Sequence, residues 1–355
     1  MSTEMPLVSI CLPNFNTFPF LEERLQTILS QSLTDWELII VDSYSNDGSW
    51  EFFEKLAKSD SRVSISQEPR GLYQSWNNCI QRAKGKYVYI ATSDDTMAPD
   101  CLEKMVEALE SNPECDIAQC RLEIIDKEGH IQADYQGASN CTVFSGDLKN
   151  VLAKPHIRRA PFDGLLHLTG LMVHLSITEL LIRRTLFSKI GLFEAHWGSI
   201  GDRNWEMKAG LVTDTVFVPD TWASWRMHAT NASSLLKVHS PEYCEKVHEM
   251  IDDAIKKCRP FLSPELMAGL ESEWVPGSRS MRDYYTSLAN KGTLRRRFFQ
   301  IAQAYSGDAI ARFEVRQRIL GQPTWFDRFP ADLKKWLESI GLGPVVLPAK
   351  NGVLT

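Results

Sequence analysis

Three apolar runs and one weaker one, each followed by a stripe of apolar residues at helical spacing, fill the first 111 residues. LVSICLP (Leu7–Pro13) precedes FLEERLQTILSQ, which spaces Leu21, Leu25, Ile28 and Leu29 along one helical face. WELIIVD precedes DGSWEFFEKLAKS, and the weaker RVSIS precedes YQSWNNCIQRAK, with Tyr73, Trp76, Ile80 and Ala83 on one side. KYVYIA precedes APDCLEKMVEALES, whose Pro99 suits a first helical turn and whose Leu102, Met105, Val106 and Leu109 form the stripe. Strands that are apolar throughout must be covered on both faces, and strand–helix alternation supplies the cover. The pattern predicts an α/β fold with a mostly parallel, Rossmann-like sheet flanked by helices. In such sheets ligands bind outside the carboxyl ends of the strands, so the residues that follow each strand are where function is sought.

Beyond this region CDIAQCRLEIIDKEGHIQADY predicts a hairpin turning at Asp126–Gly129, and ITELLIRRTLFSKIGLF and DTVFVPDTWASWRMH predict further strands with a short helix between. From about Pro241 the chain becomes helical and aromatic-rich. The expected organisation is therefore a domain over 1–240, with halves of about 1–125 and 126–240, and a helical C-terminal region over 241–355. With 43% hydrophobic and 24% charged residues and a net charge of −6, the composition is that of a soluble globular protein, and no nucleic-acid partner is expected. Eight scattered cysteines without a CxxC pair read as reduced, mostly buried thiols in a cytoplasmic protein. The opening MSTEMPLVSICLP lacks the basic segment and long apolar core of a secretory leader. The apolar stretch Gly164–Ile182 carries His167, His174 and Glu179, which argues against a membrane span.

Four polar clusters stand at predicted strand ends: Pro13-Asn14-Phe15-Asn16, Asp42 with the following SYSNDGS, Arg70-Gly71, and Ser93-Asp94-Asp95. Each alone reads as an ordinary turn or helix cap. Together they converge on one edge of one sheet, and a paired carboxylate at a core strand's end calls for a compensating cation.

In their order, VSICLPNFN, LIIVDSYSNDGS and RGLYQSWNNCIQRAKGKYVYIATSDD resemble the GT-A fold glycosyltransferases of family 2, inverting enzymes that use nucleotide-sugar donors. The resemblance runs over 7–111 and resumes at IGDRNWEMKAG and WRMHATNASS. It implies a divalent metal, Mn²⁺ or Mg²⁺, bridging the donor diphosphate, with Asp95 as direct ligand, Asp94 facing the donor, and His228 as a further ligand. It implies that Asp42 pairs with the nucleotide base beside Pro13, Asn14 and Asn16; a carboxylate accepting an N3–H favours UDP- or dTDP-linked donors. Phe15 is a candidate stacking surface or a core aromatic, and Arg70 a candidate phosphate contact. Asp202 is the expected general base, just ahead of an amphipathic helix, with helix capping as its structural alternative. Trp197 and Trp205 are candidates for an acceptor-sugar platform or for the core. The implied activity is transfer to a glycan or polyprenol-linked acceptor in bacterial surface polysaccharide synthesis. A non-catalytic sugar-nucleotide or glycan-binding protein of the same fold is the alternative. A nucleotidyltransferase is a weaker one, because PNFNTFPF lacks a Gly-rich basic phosphate loop.

The chain departs from the family pattern at four places. Ser43 follows Asp42 where a second aspartate is common, Thr92 stands where a further acid is common, Trp76 replaces an arginine, and Gly201 rather than glutamate precedes Asp202. The segment around His156, Arg158, Arg159, His167 and His174 reads either as a cationic acceptor pocket or as irregular packing. In the C-terminal region, LRRRFF (Leu294–Phe299) and the Trp325–Ile340 stretch read either as peripheral membrane contact at the inner face or as a helix packed on protein.

Overall fold

The computed structural model describes residues 5–135, 150, 153–168, 173–228, 241–269 and 345–348. The basic and aromatic stretches between 294 and 340 lie outside the described residues. The chain divides into two compact units. One comprises Met1–His167, Leu171–Ser234 and Pro344–Thr355; the other comprises Leu168–Gly170 and Leu235–Gly343.

The first unit is built on a ten-stranded sheet. Its strands are β1 (Val8–Asn14), β2 (Trp36–Asp42), β3 (Val63–Gln67), β4 (Tyr87–Ile90), β5 (Cys115–Ile125), β6 (Ile131–Tyr135), β7 (His156–Arg158), β8 (Leu180–Arg183), β9 (Asp214–Arg226) and β10 (Val345–Val346). The order is β10-β7-β9-β5-β8-β4-β1-β2-β3, with β6 added to β5. Strands β3, β2, β1 and β4 are all parallel. The antiparallel β8 separates β4 from β5, and β9 runs parallel to β5. The carboxyl ends of β1, β2, β4, β5 and β9 therefore share one edge. The hairpin predicted at Asp126–Gly129 is the β5–β6 turn.

Side chains alternate across the sheet, and helices bury both faces. On one face Val8, Ile10 and Leu12 of β1 pack with α1 (Phe18–Leu29), α2 (Ser49–Ser59) and α4 (Cys101–Ser111) through Leu21, Leu25, Phe53, Leu102 and Met105. On the other, Cys11, Ile39 and Val88 pack with α3 (Leu72–Arg82), α6 (Thr185–Ile190) and α7 (Gly201–Val212) through Trp76, Phe187 and Trp205. Pro99 precedes α4 by two residues rather than opening it; Ala98 N–H instead bonds the carbonyl of Trp222. Cys11, Cys79, Cys101, Cys115, Cys120 and Cys258 are free thiols, and each is buried.

Helix α7 is not amphipathic. Gly201 and every residue from Arg203 to Leu211 are buried, because the helix is covered on several sides. One neighbour is α5 (Phe162–Leu168), which meets α7 backbone to backbone at a pair of glycines. A Cβ on Gly164 would lie 2.4 Å from the nitrogen of Leu211, and one on Gly210 would lie 2.4 Å from the nitrogen of Gly164.

The second unit contributes α8 (Pro241–Cys258), a short 3₁₀ turn and α9 (Pro264–Gly269). Val247, Met250, Ile251, Ala254 and Cys258 of α8 are buried, at the spacing of one helical face. No helix among the described residues is long and apolar enough to cross a membrane.

The glycine crossing yields a prediction with a diagnostic sign. Gly→Ala in a helix interior normally stabilises by up to about 1 kcal/mol. Gly210→Ala should instead destabilise the protein by about 1–3 kcal/mol, because backbone rather than a movable side chain blocks the new methyl. Urea unfolding of the two proteins measures the difference.

Candidate active site

The topology puts a crevice between β1 and β4. From β1 the chain steps outward through β2 and β3, then returns to place β4 on the other side of β1, so the strand order reverses at this point. Pro13 marks where the two strands part. Peptide groups alternate sides along a strand: the Cys11 carbonyl accepts from Ala91 on the β4 side, and the Asn14 carbonyl accepts from Ser43 on the β2 side. Pro13 falls on the β4 side, where the ladder has ended at Cys11–Ile90, so its missing N–H leaves no bond broken.

Beside the crevice, Asp42 and Asn14 form a buried knot. Asp42 is 0% exposed. Its Oδ1 accepts from Asn14 Nδ2 at 2.8 Å and from Ser45 Oγ at 2.6 Å, and its Oδ2 accepts the Ser45 N–H at 2.8 Å. Asn16 N–H donates to Ser45 Oγ, and Asn16 Oδ1 accepts from Asn46 N–H, which stitches the β1 and β2 loops together. Both loops carry a non-glycine residue at positive φ, Asn16 at 53° and Tyr44 at 56°. Such a backbone is uncommon for an aromatic residue, and it holds Tyr44 60% exposed beside the knot. Asp47 is structural: it accepts the Phe18 N–H at the start of α1 and the N–H and hydroxyl of Ser49. Arg70 lies over the ring of Phe15, 3.9 Å from its centroid, so one face of Phe15 is covered by a cation.

The two adjacent aspartates after β4 have opposite surroundings. Asp95 is 1% exposed; its Oδ1 accepts the Arg226 N–H at 2.7 Å, and its Oδ2 accepts the Thr92 hydroxyl. Burial, reinforced by the charge of Asp94, pushes its carboxyl up to about 7. Thr92, a departure from the family pattern, thus serves as a hydrogen-bond donor to Asp95. Asp94 is the partly exposed member, with its Oδ2 2.8 Å from His228 Nε2. Asp95, expected as the direct metal ligand, is engaged within the protein, and Asp94 faces the histidine.

A single arginine holds this arrangement. Arg226, at the end of β9, donates to the carbonyls of Asp94 (2.6 Å), Asp126 (3.3 Å) and Lys127 (3.0 Å) and to the Glu23 carboxylate (2.6 Å). Phe20 of α1 stacks on His228 with centroids 5.0 Å apart, and the Arg226 guanidinium lies 5.3 Å from the same ring.

Asp202 lies in the first turn of α7. That helix runs antiparallel to the β9 strand it leads into, so its N-terminus lies toward the carboxyl edge. Asp202 Oδ1 accepts the Arg203 N–H at 2.8 Å and the Tyr73 hydroxyl at 3.0 Å. Burial raises its carboxyl above the ordinary range, while these two donors pull it down. The same burial and the neighbouring carboxylate push Tyr73 far up, so it stays a donor. Gly201 accommodates this contact, since a Cβ there would fall 2.7 Å from Tyr73 Cε2.

Trp205 and Trp197 are core residues rather than a sugar platform. Trp205 is fully buried, donates to the Gly191 carbonyl and stacks on Phe187 and Phe193; Trp197 is buried against the ring of His196. The segment after residue 155 resolves toward packing as well. Arg158 is buried and grips Asp163 at 2.6 and 3.1 Å, Arg159 pairs with Asp214, and His156, His167 and His174 are buried. Sequence reasoning missed Tyr73, Tyr44 and Arg226 as site residues. Tyr73 looked like one more member of an apolar stripe, and Arg226 like the polar end of a strand; only long-range pairing separates them from those roles.

Arg226→Met keeps the length of the side chain and removes its donors. It should lower stability by about 2–4 kcal/mol in EDTA, because the Asp94 and Lys127 carbonyls and the Glu23 carboxylate lose this donor, while Asp126 keeps the Gly129 N–H. Urea unfolding at pH 7.5 measures this; a change under about 0.5 kcal/mol would show the clasp to be incidental.

The sequence profile of "Glycosyl transferase family 2" matches residues 9–191, just over half of the chain. TuaG of Bacillus subtilis (strain 168), a glycosyltransferase named for teichuronic acid biosynthesis, is 36% identical over 109 residues, 30% of this chain and 43% of TuaG. The uncharacterized glycosyltransferase EpsJ of the same organism is 37% identical over 117 residues, 33% of this chain and 34% of EpsJ. The matched segments thus span less than half the length of these two relatives. The crystal structure of S. aureus TarS 1-349 in complex with UDP-GlcNAc superposes with a TM-score of 0.59 at 17% identity, covering 82% of this chain and 77% of that one. That likeness is one of fold, GT-A. The profile match runs from β1 through β8, across the switch point that carries Asn14, Asp42 and the aspartate pair, and on that ground the chain belongs to glycosyl transferase family 2.

Proposed function

We propose that the chain is a metal-dependent, inverting glycosyltransferase that moves a sugar from a nucleoside diphosphate donor to a glycan or lipid-linked glycan in bacterial surface polysaccharide synthesis. The observation that carries the reading is the pairing of Asp94 with His228 at the switch point. A carboxylate oxygen and an imidazole nitrogen stand 2.8 Å apart there. Two neighbouring ligands of an octahedral ion at about 2.1 Å stand about 3 Å apart, so this pair fits Mn²⁺ or Mg²⁺. We assign the ligand roles to Asp94 and His228, and to Asp95 the role of fixing the loop through Arg226 and Thr92. When bound, the ion offsets the charge of the departing diphosphate.

The remaining groups act directly on the substrates. Asp202 takes the proton of the acceptor hydroxyl as it attacks the anomeric carbon, opposite the leaving group, and one displacement inverts the configuration. Tyr73 holds the carboxylate for that task. Tyr44 offers an exposed aromatic face for the base beside the knot of Asn14, Asn16 and Asp42. The preference for UDP- or dTDP-linked donors expected from Asp42 loses its physical basis here, because that carboxylate is buried and already accepts three hydrogen bonds within 3 Å. Donor identity thus rests with the rest of the pocket. The cytoplasmic setting, the extent of the catalytic domain over 1–240 and lipid contact by the C-terminal region belong to the same reading. A binding protein of this fold is the rival.

The test is nucleotide release from UDP-, dTDP- and GDP-sugars with Mn²⁺ or Mg²⁺, together with calorimetric binding of the free nucleoside diphosphates. Asp202→Asn should lower kcat by about 10²–10⁴ while leaving donor binding intact. Asp94→Asn and His228→Ala should abolish the metal dependence of nucleoside diphosphate binding. A protein that binds donor but never releases nucleotide, with Asp202→Asn indistinguishable from wild type, is the rival binding protein.

Asp202 works only as a carboxylate, and burial raises its pKa. Activity should therefore fall as pH drops through a value above that of an ordinary aspartate. Tyr73→Phe removes a bond that stabilises the carboxylate and should move this acid limb of kcat/KM upward by about 0.5–1 pH unit, the equivalent of one hydrogen bond.

A further inference from the structure

Beneath Asp202, one helical turn further along α7, lies a buried group of side chains that the transfer chemistry does not use. His167 on α5, His174 before β8 and Glu206 on α7 bring one ligand atom each within 4.8 Å of one another, and all three are buried. Neither ring nitrogen of His167 or of His174 has a hydrogen-bond partner among the described residues. The closest acceptors are Glu206 Oε2, 3.8 Å from His167 Nδ1, and Asp163 Oδ2, 3.5 Å from His174 Nε2. The two rings stand 5.0 Å apart at 51°, so they are not stacked as an apolar pair. Unpartnered imidazoles in a dry interior are costly, and two of them gathered with a buried carboxylate call for a shared partner.

We propose that His167, His174 and Glu206 bind a divalent transition-metal ion of the zinc type, at a site separate from the donor-side pair of Asp94 and His228. Two imidazoles and one carboxylate are a nitrogen-rich set that suits Zn²⁺ better than Mg²⁺. An ion at the centre of a triangle with edges of at most 4.8 Å lies at most about 2.8 Å from each ligand atom. Bonds of about 2.0–2.1 Å then ask each side chain to move inward by about 0.7 Å or less. Asp163 stands where a carboxylate orients a ligating imidazole, or joins as a fourth ligand, and Arg158 fixes it there.

The charge of the surroundings points the same way. Asp163, Glu179, Asp202 and Glu206 interact electrostatically within this group, as do the guanidiniums of Arg158 and Arg203. These carboxylates are the groups whose charge a bound dication would offset. Such an ion would cross-link α5, α7 and the chain entering β8 directly below the residue proposed as base.

The experiment uses the full chain, dialysed against EDTA and then metal-free buffer, with zinc measured by plasma mass spectrometry. Wild type should retain about one equivalent, and so should the Asp94→Asn/His228→Ala double variant, which removes the donor-side pair. His174→Ala and His167→Ala should each retain about tenfold less. Cobalt added to the stripped wild type should give the visible ligand-field bands of a low-symmetry, nitrogen-ligated site, and the same bands in the double variant. If the histidine variants fail to fold, the zinc content and cobalt spectrum of the wild type and the double variant decide. The proposal is overturned if wild type holds less than about 0.1 equivalent of zinc and gives no cobalt bands. It is equally overturned if folded His167→Ala and His174→Ala keep their zinc, or if the double variant loses it. None of these outcomes depends on whether sugar is transferred.

Discussion

The carboxyl edge of this sheet depends on one buried guanidinium. Arg226 reaches the end of β4, the β5–β6 turn and α1 together, through the carbonyls of Asp94, Asp126 and Lys127 and the carboxylate of Glu23. Its own amide secures Asp95. A cation in such a place is expensive unless its donors are used, and here they meet three backbone carbonyls and one carboxylate. The outcome is a division of labour between adjacent carboxylates. Asp95 is spent on holding the loop, which leaves Asp94 turned toward His228.

A second constraint works at the opposite scale. The β1–β4 ladder ends at Cys11–Ile90, and Pro13, which has no N–H to extend it, stands on the β4 side just beyond. The Asn14–Asp42–Ser45 knot then ties the β1 and β2 loops together. On the far face, Tyr73 and Asp202 tie the first turns of α3 and α7 together. Local choices made by single residues thus shape a site whose parts come from six separate stretches of chain.

The sheet's parallel half was legible because its signal is periodic and dense: strands apolar on both faces, each followed by a helical stripe. The strand-end clusters were legible for the same topological reason. The antiparallel insertion of β8 between β4 and β5 was not, since LLIR looks the same in either direction. Which aspartate of the pair faces outward was also hidden, because it turns on an amide 131 positions away in the chain. The two tryptophans near Asp202 read as sugar platform or core, and the histidine-rich segment as acceptor pocket or packing; burial of the rings and of the Arg158–Asp163 pair favours the second in each case. In each case the residue type was informative, and the missing quantity was its distance from water.

The short strand β10 has a consequence for how the chain can be cut. Val345 and Val346 pair with His156 and Ile157 of β7, so residues 235–343 are an excursion that leaves the sheet-bearing unit and comes back to it. Ending the protein near residue 241 would discard more than that excursion. It would strip the outermost strand and expose the unpaired amides and carbonyls of β7, an open edge of the kind that recruits a strand from another molecule. A deletion that spares Val345 and Val346 keeps the cover on β7.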